Sequence, residues 1–228
     1  MIKQGDVVSY LKMCSEEGVN LQRGMNFRLK KKASVILMSL RSGAPYADRV
    51  EDEGRTLIYE GHNIGKQAGL DPKTVDQPAA YPNGRWTQNG LFFEAVQRFK
   101  QGEAEAEIVK VYEKIRPGIW TYNRLFQLID AWRETSHGRK VFKFKLELTG
   151  TAKPSYQQVE LDHNRIIPTS VKIEVWARDK GKCVKCGSTK NLHFDHIIPY
   201  SKGGSSLVAE NVQILCAKHN LEKLAKIE

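Results

Sequence analysis

No apolar run in the chain is long enough to span a bilayer, and the first residues, MIKQGDVV, turn polar at once instead of following a basic-then-apolar export pattern. A membrane span and an export signal are therefore not expected, and a cytoplasmic location is. Cysteine is scarce, at four residues, and three of the four fall in the last fifth of the chain. That distribution argues against a disulfide framework and suits a reducing compartment; the fourth, Cys14, reads as a small buried hydrophobe on a first helix. Internal repeats and low-complexity tracts are missing too. Acids are in deficit: 26 Asp and Glu face 36 Lys and Arg, a formal charge of +10. The excess is spread along the chain and suits a phosphate-rich partner, although an ordinary basic protein would show the same balance. The length of 228 residues, 40% of them hydrophobic, is enough for one large or two small cores.

What is present is concentrated near the end. Cys183-x-x-Cys186 and Cys216-x-x-His219 are two short-spaced pairs of soft ligands, the arrangement a closed tetrahedral Zn²⁺ site needs, because each pair sits on a tight turn and the ion joins the turns. Between the pairs lie Asp195-His196 and Asn211, and Asn220 follows the second pair. These cannot all belong to one zinc. Histidine is the side chain whose unperturbed pKa lies near neutrality, so it can take a proton from water. A carboxylate and an amide beside it are hard ligands suited to Mg²⁺ or Mn²⁺. His193 falls on the strand face shared with Asp195 and opposite His196 if the strand is regular, which reads as a flanking or phosphate-facing residue.

The run CVKCG, then LHFDHIIPYSKGG, then ENVQILCAKHNLEK resembles the HNH nuclease module, a ββα fold built around one catalytic divalent cation, over roughly residues 165–228. The resemblance implies that His196 is the general base, that Asp195 is a catalytic-metal ligand, and that Asn211 braces the loop carrying the base. The third signature position completes the metal site. Asn220 takes it if His219 is the fourth zinc ligand; His219 takes it if the zinc has only three protein ligands. Lys223, one helical turn further on, is a candidate phosphate contact or a solvated helix face. A zinc ribbon without catalysis is the bland alternative.

Upstream, residues 5–17 carry Val7, Val8, Leu11 and Cys14 at helical spacing, which predicts a short amphipathic helix. Ser34–Leu40, Thr56–Tyr59 and Val141–Leu148 read as strands; Leu125–Trp132 can be one as well, and Leu91–Lys100 reads as helical. The expected fold class is α+β, a mostly antiparallel N-terminal barrel with a few helices over residues 1–150 and a zinc-stapled ββα-metal domain over 170–228. Residues 151–169, with two prolines and little periodicity, read as the linker, and Thr169 or Ser170 as the cap of the next helix.

Two segments, SGAPYADRVEDEGRTLIYEGH and IRPGIWTYNRLFQLIDAW followed by VFKFKLEL, resemble SRA domains over roughly residues 34–148, with that family's aromatic-Tyr-Asp-Gly motif altered to Trp120-Thr121-Tyr122-Asn123-Arg124. SRA domains, of PUA-like fold, flip a modified cytosine out of duplex DNA. The resemblance implies Tyr46 and Tyr59 as stacking faces, Asp48 as reader of the exocyclic amine, and Glu60 near the C5 substituent. A flipped base needs such aromatic and polar contacts to offset an unstacking cost of a few kcal/mol. The turn-rich stretch Tyr81–Gly90 offers Arg85, Trp86 and Gln88 as DNA contacts, or is simply a surface hairpin. Together the resemblances imply a modification-dependent restriction endonuclease acting on double-stranded DNA that carries 5-methyl- or 5-hydroxymethylcytosine, with structural Zn²⁺ and catalytic Mg²⁺ or Mn²⁺. One active site cuts one strand, so double-strand cleavage implies a homodimer or two binding events. A modified-DNA binding protein with an inactive nuclease module, and a nuclease or nickase indifferent to modification, are the competing readings.

Overall fold

The computed structural model describes residues 2–21, 23–31, 33–65, 68–149, 166–199 and 202–223. The chain opens with strand β1 (Val7–Ser9), which runs directly into helix α1 (Tyr10–Glu17). The helix expected over 5–17 is thus a strand followed by a helix. Val7 and Val8 are β-branched and pair with the main sheet, and Ser9 caps α1 by accepting from Lys12 N at 3.2 Å.

Strands β2 (Met25–Asn26), β3 (Ser34–Met38), β4 (Arg49–Glu51) and β5 (Thr56–Glu60) precede helix α2 (Gln88–Lys100). Strands β6 (Glu107–Arg116), β7 (Ile119–Ser136) and β8 (Arg139–Leu148) follow. They form an eight-stranded sheet in the order β2-β3-β6-β7-β8-β5-β4, with β1 added to β7. All pairings are antiparallel except β3 with β6. Sequence reading did not single out β6, because Glu107 and Glu113 point inward and break its apolar alternation. Phe92 and Val96 of α2 pack with Phe126, Leu128, Phe142 and Phe144 in the largest core. Met13 of α1 packs with Val35, Tyr112 and Trp120 in another. Neighbours Val35 and Ile36 enter different cores, as the two-residue period of a strand requires.

The last part of the chain comprises helix α3 (Thr169–Arg178), strands β9 (Leu192–His196) and β10 (Val212–Cys216), and helix α4 (Ala217–Lys223). It has its own core of Val171, Val175, Phe194, Val212, Ile214 and Leu215. The whole is α+β. The expected helix beginning at Thr169 is present, whereas the expected linker lies, except for residues 166–169, outside the described residues. Among the described residues, no helix is long and apolar enough to cross a membrane.

Among the described residues, polar contacts in two places help join the small core to the sheet. Residues 5 and 6 lie between β7 and β9: Gly5 N donates to Tyr122 O at 2.9 Å, Phe194 N donates to Gly5 O at 3.3 Å, and His193 pairs with Asp6 at 2.6 Å. His193 is therefore a docking residue and not a phosphate-facing one. Beside it, the Lys172 ammonium of α3 sits 2.7 Å from Glu113 and 2.8 Å from Asn123 Oδ1, and the Thr169 hydroxyl also bonds Glu113. All four side chains are buried. Asn123 reaches this cluster through a β-bulge: the β6–β7 register skips it, and Arg124 after it has φ 111°.

Candidate functional site

The Cys183 and Cys186 turn is closed by hydrogen bonds from Gly187 N to Cys183 O and from Cys183 N to Ser188 O, both 2.8 Å, with Gly187 in the left-handed region at φ 71°. The second pair spans the junction of β10 and α4. The fold brings Cys183, Cys186, Cys216 and His219 together so that their ligand atoms all lie within 4.8 Å of one another. His219 Nδ1 is 3.3 Å from Cys183 Sγ and 3.4 Å from Cys216 Sγ, and Cys186 Sγ is 3.8 Å from Cys216 Sγ. Four converging soft donors fit a metal ion. Burial pushes the Cys183 thiol up, but backbone N–H groups of Cys216, Lys185 and Cys186 and the His219 ring outweigh it and bring it to about 6. A thiol so placed is readily ionised, as a metal thiolate must be.

Asp195 and His196 end β9, opposite Gln213 and Val212 of β10. His196 Nε2 lies 2.8 Å from Ser206 Oγ. Asn211 makes three side-chain bonds across the base of the loop that joins β9 to β10: Oδ1 accepts from Ile198 N at 2.8 Å, and Nδ2 donates to Ile198 O at 3.0 Å and Ser205 O at 2.9 Å. The loop can close this tightly only because residue 204 is glycine. A Cβ there would stand 1.8 Å from Ile198 O and 2.7 Å from Asn211 Nδ2.

Helix α4 crosses β9, and Lys223 is buried rather than turned to solvent or phosphate. Its ammonium bonds His196 O at 2.5 Å and forms an ion pair with Asp195 Oδ2 at 2.9 Å. The expected DNA contact at Lys223 is thereby corrected: its charge is spent inside the site. Asn220 is three residues before Lys223, on the same helix face.

The N-terminal candidates also meet, in altered roles. Asp48 accepts from Glu60 N at 3.0 Å and Ser39 N at 3.3 Å. Desolvation pushes its carboxyl up to about 7 against the lowering effect of those two N–H groups. Tyr59 belongs to the core at 2% exposure, so it does not present a free stacking face, whereas Tyr46 is partly exposed. Glu60 is buried and committed: Lys143 Nζ lies 2.8 Å and Arg139 Nη2 3.4 Å from its carboxylate, and Ala47 N donates to it at 3.2 Å. In the 81–90 stretch, Tyr81 N donates to Arg85 O at 2.8 Å and Ala80 bridges Trp86, a surface hairpin with Arg85 exposed and Trp86 53% exposed. Gln88 is not on that surface as a DNA contact; its Oε1 accepts from Phe27 N at 2.7 Å.

Residues 183–225 match the family model for HNH endonuclease. Residues 183–225 therefore carry an HNH endonuclease domain. The Cys183, Cys186, Cys216 and His219 cluster, the His196 loop and helix α4 all fall inside the matched residues. Among solved structures, the SUVH5 SRA complex with hemimethylated CG DNA is 24% identical, with a TM-score of 0.45, over 68% of this chain and 94% of that one. The modification-dependent TagI restriction endonuclease is 21% identical, with a TM-score of 0.40, over 97% of this chain and 77% of that one. KRYPTONITE in complex with mCHH DNA, an H3(1-15) peptide and SAH is 18% identical, with a TM-score of 0.45, over 70% of this chain and 34% of that one. No curated protein sequence matches. Ser206 and the buried role of Lys223 were missed from sequence. The serine sits in a Gly-Gly-Ser-Ser loop without periodicity; the lysine's signal was its place one turn after Asn220.

Proposed function

We propose that the protein is a modification-dependent DNA endonuclease in which residues 1–150 read a modified cytosine, residues 151–169 link, and residues 170–228 cut. The observation that carries the nuclease half is the Asn211 clamp, which fixes the loop behind His196 while Asp195 stands next to it on the same strand. His196 takes a proton from water; the hydroxide oxygen bonds to phosphorus, and the bond from phosphorus to the leaving oxygen breaks. A divalent cation, Mg²⁺ or Mn²⁺, held by Asp195 and Asn220 would offset charge on the phosphate and the leaving oxygen. These hard donors suit such an ion, and the three thiolates with His219 suit Zn²⁺.

The reader half rests on the SRA-like segments and on Tyr46 and Asp48, the two pocket candidates left accessible or uncommitted to ion pairs. Near neutral pH the Asp48 carboxyl is poised between its two forms, so it can accept from an exocyclic amine when ionised and donate when protonated. Arg85 and Trp86 on the exposed hairpin can meet the phosphate backbone or the space left by the base. A pair of such molecules, or two binding events, would be needed to cut both strands.

The test is cleavage of matched duplexes bearing cytosine, 5-methylcytosine or 5-hydroxymethylcytosine with Mg²⁺ or Mn²⁺, beside His196→Ala. Cutting confined to a modified duplex and lost in the variant is expected, with DNA binding preserved. Equal cutting of all three duplexes would remove the reader, and selective binding without cutting would leave a binding protein.

A further inference from the structure

We infer that Ser206 is the positioning residue for His196, holding the ring in the orientation and tautomer that a general base requires. The inference rests on the reading of His196 as the base. Ser206 Oγ lies 2.8 Å from His196 Nε2, and the serine is 3% exposed, so water competes little for the hydroxyl. The loop that delivers it is fixed on both sides. Asn211 Nδ2 holds Ser205 O at 2.9 Å, Leu207 N donates to Ser205 Oγ at 3.0 Å, and Gly204 N donates to Pro199 O at 3.1 Å.

A neutral imidazole has one N–H and one lone pair, and the partner on one nitrogen biases which is which. The 2.8 Å contact suits either direction, since a hydroxyl can donate or accept; in the tautomer a base facing water needs, Nε2–H donates to Ser206 Oγ and the lone pair lies on Nδ1, where a proton from water would be received. After that transfer both nitrogens carry hydrogen, and Nε2–H still donates to the same oxygen. The bond therefore persists through the proton transfer without rearrangement, which is what an orienting third group contributes to a nucleophile–base pair. A hydroxyl does this without adding a second negative charge beside Asp195.

The test uses the full chain with Ser206→Ala, Ser206→Thr and Ser206→Cys. Cleavage of the preferred duplex gives kcat and KM, and the ¹⁵N shifts of the His196 ring report its tautomer. The alanine variant is expected to lose about 10- to 100-fold in kcat with KM little changed, a part of the contribution a general base makes. Threonine, which keeps the hydroxyl, should stay within a few-fold of the parent. Cysteine, near-isosteric and a weak acceptor, should fall with alanine, and it decides the matter if the alanine variant does not fold. The ring nitrogen shifts should move in the alanine and cysteine variants and not in threonine. A parent-like kcat in the alanine or cysteine variant, or unchanged ring shifts, would overturn the inference. Should the parent protein cut no duplex, the nuclease reading fails, and the ring shifts alone still decide whether Ser206 sets the tautomer.

Discussion

A lysine as buried as Lys223 must have its charge met, because an unpaired charge out of water is costly. The charge is met twice, by the Asp195 carboxylate and the His196 carbonyl, and the same contacts tie α4 to the end of β9. Only one Asp195 oxygen is engaged by the ammonium. Replacing Lys223 with Met keeps the chain volume and removes the cation, leaving a partly buried carboxylate without its partner. The loss should be about 2 to 3 kcal/mol, below the cost of breaking a fully buried pair because Asp195 retains some contact with water. Denaturant unfolding at neutral pH checks this, and a parent-like midpoint would mean that the pair contributes nothing. At this scale the sequence was legible where short spacing carries the arrangement: the two ligand pairs converge, and Asn211 braces the loop after Asp195-His196. It was not legible where a side chain's partner is supplied by the fold. Lys223, Glu60 and Gln88 each looked available for DNA, and each is taken by a group 27 to 83 residues away along the chain.

Among the elements, the least self-sufficient are those of the C-terminal part. Strands β9 and β10 have five residues each, and α4 has seven, too short for an isolated helix to persist in water. Their core is small, and the cluster of three thiols and an imidazole joins the Cys183 turn to the start of α4. A metal bound there would supply stability that this core lacks. Removing it with a strong chelator should therefore unfold residues 170–228 while the eight-stranded sheet persists, giving two separate transitions on heating where the metal-loaded protein shows closer ones. Hydrogen exchange read by segment distinguishes the two parts. A C-terminal part that stays protected after verified metal removal would dismiss a structural role for the site. The same contrast explains which elements could be read in advance. Strands with uninterrupted apolar patterns, β3, β5 and β8, announce themselves. By contrast β1, only three residues long, was absorbed into a helix, and β6 was hidden by its inward-facing Glu107 and Glu113.

Across the whole molecule, those inward acids become intelligible. Glu113 has no role in the sheet's own core; it receives Lys172 and Thr169 from α3, and the bulged Asn123 completes the set. A charged cluster buried on every side fixes one relative placement, since any slip leaves a charge unpaired. The Asp6 and His193 pair and the Gly5 and Phe194 backbone bond repeat the constraint on β9 itself, within two residues of Asp195. If the sheet reads the base and β9 presents the water-activating histidine, the distance from read base to cut phosphate is set by this interface. The parent protein should accordingly cut within a narrow window of positions relative to the modified cytosine. Lys172→Met leaves Glu113 buried without its cation and should cost about 3 to 5 kcal/mol, loosening the contact. Cut sites mapped to the nucleotide on one modified duplex should then spread over a wider window while base preference is retained. An unchanged window in a variant shown to be destabilised would mean that DNA itself, and not the docked interface, sets the distance.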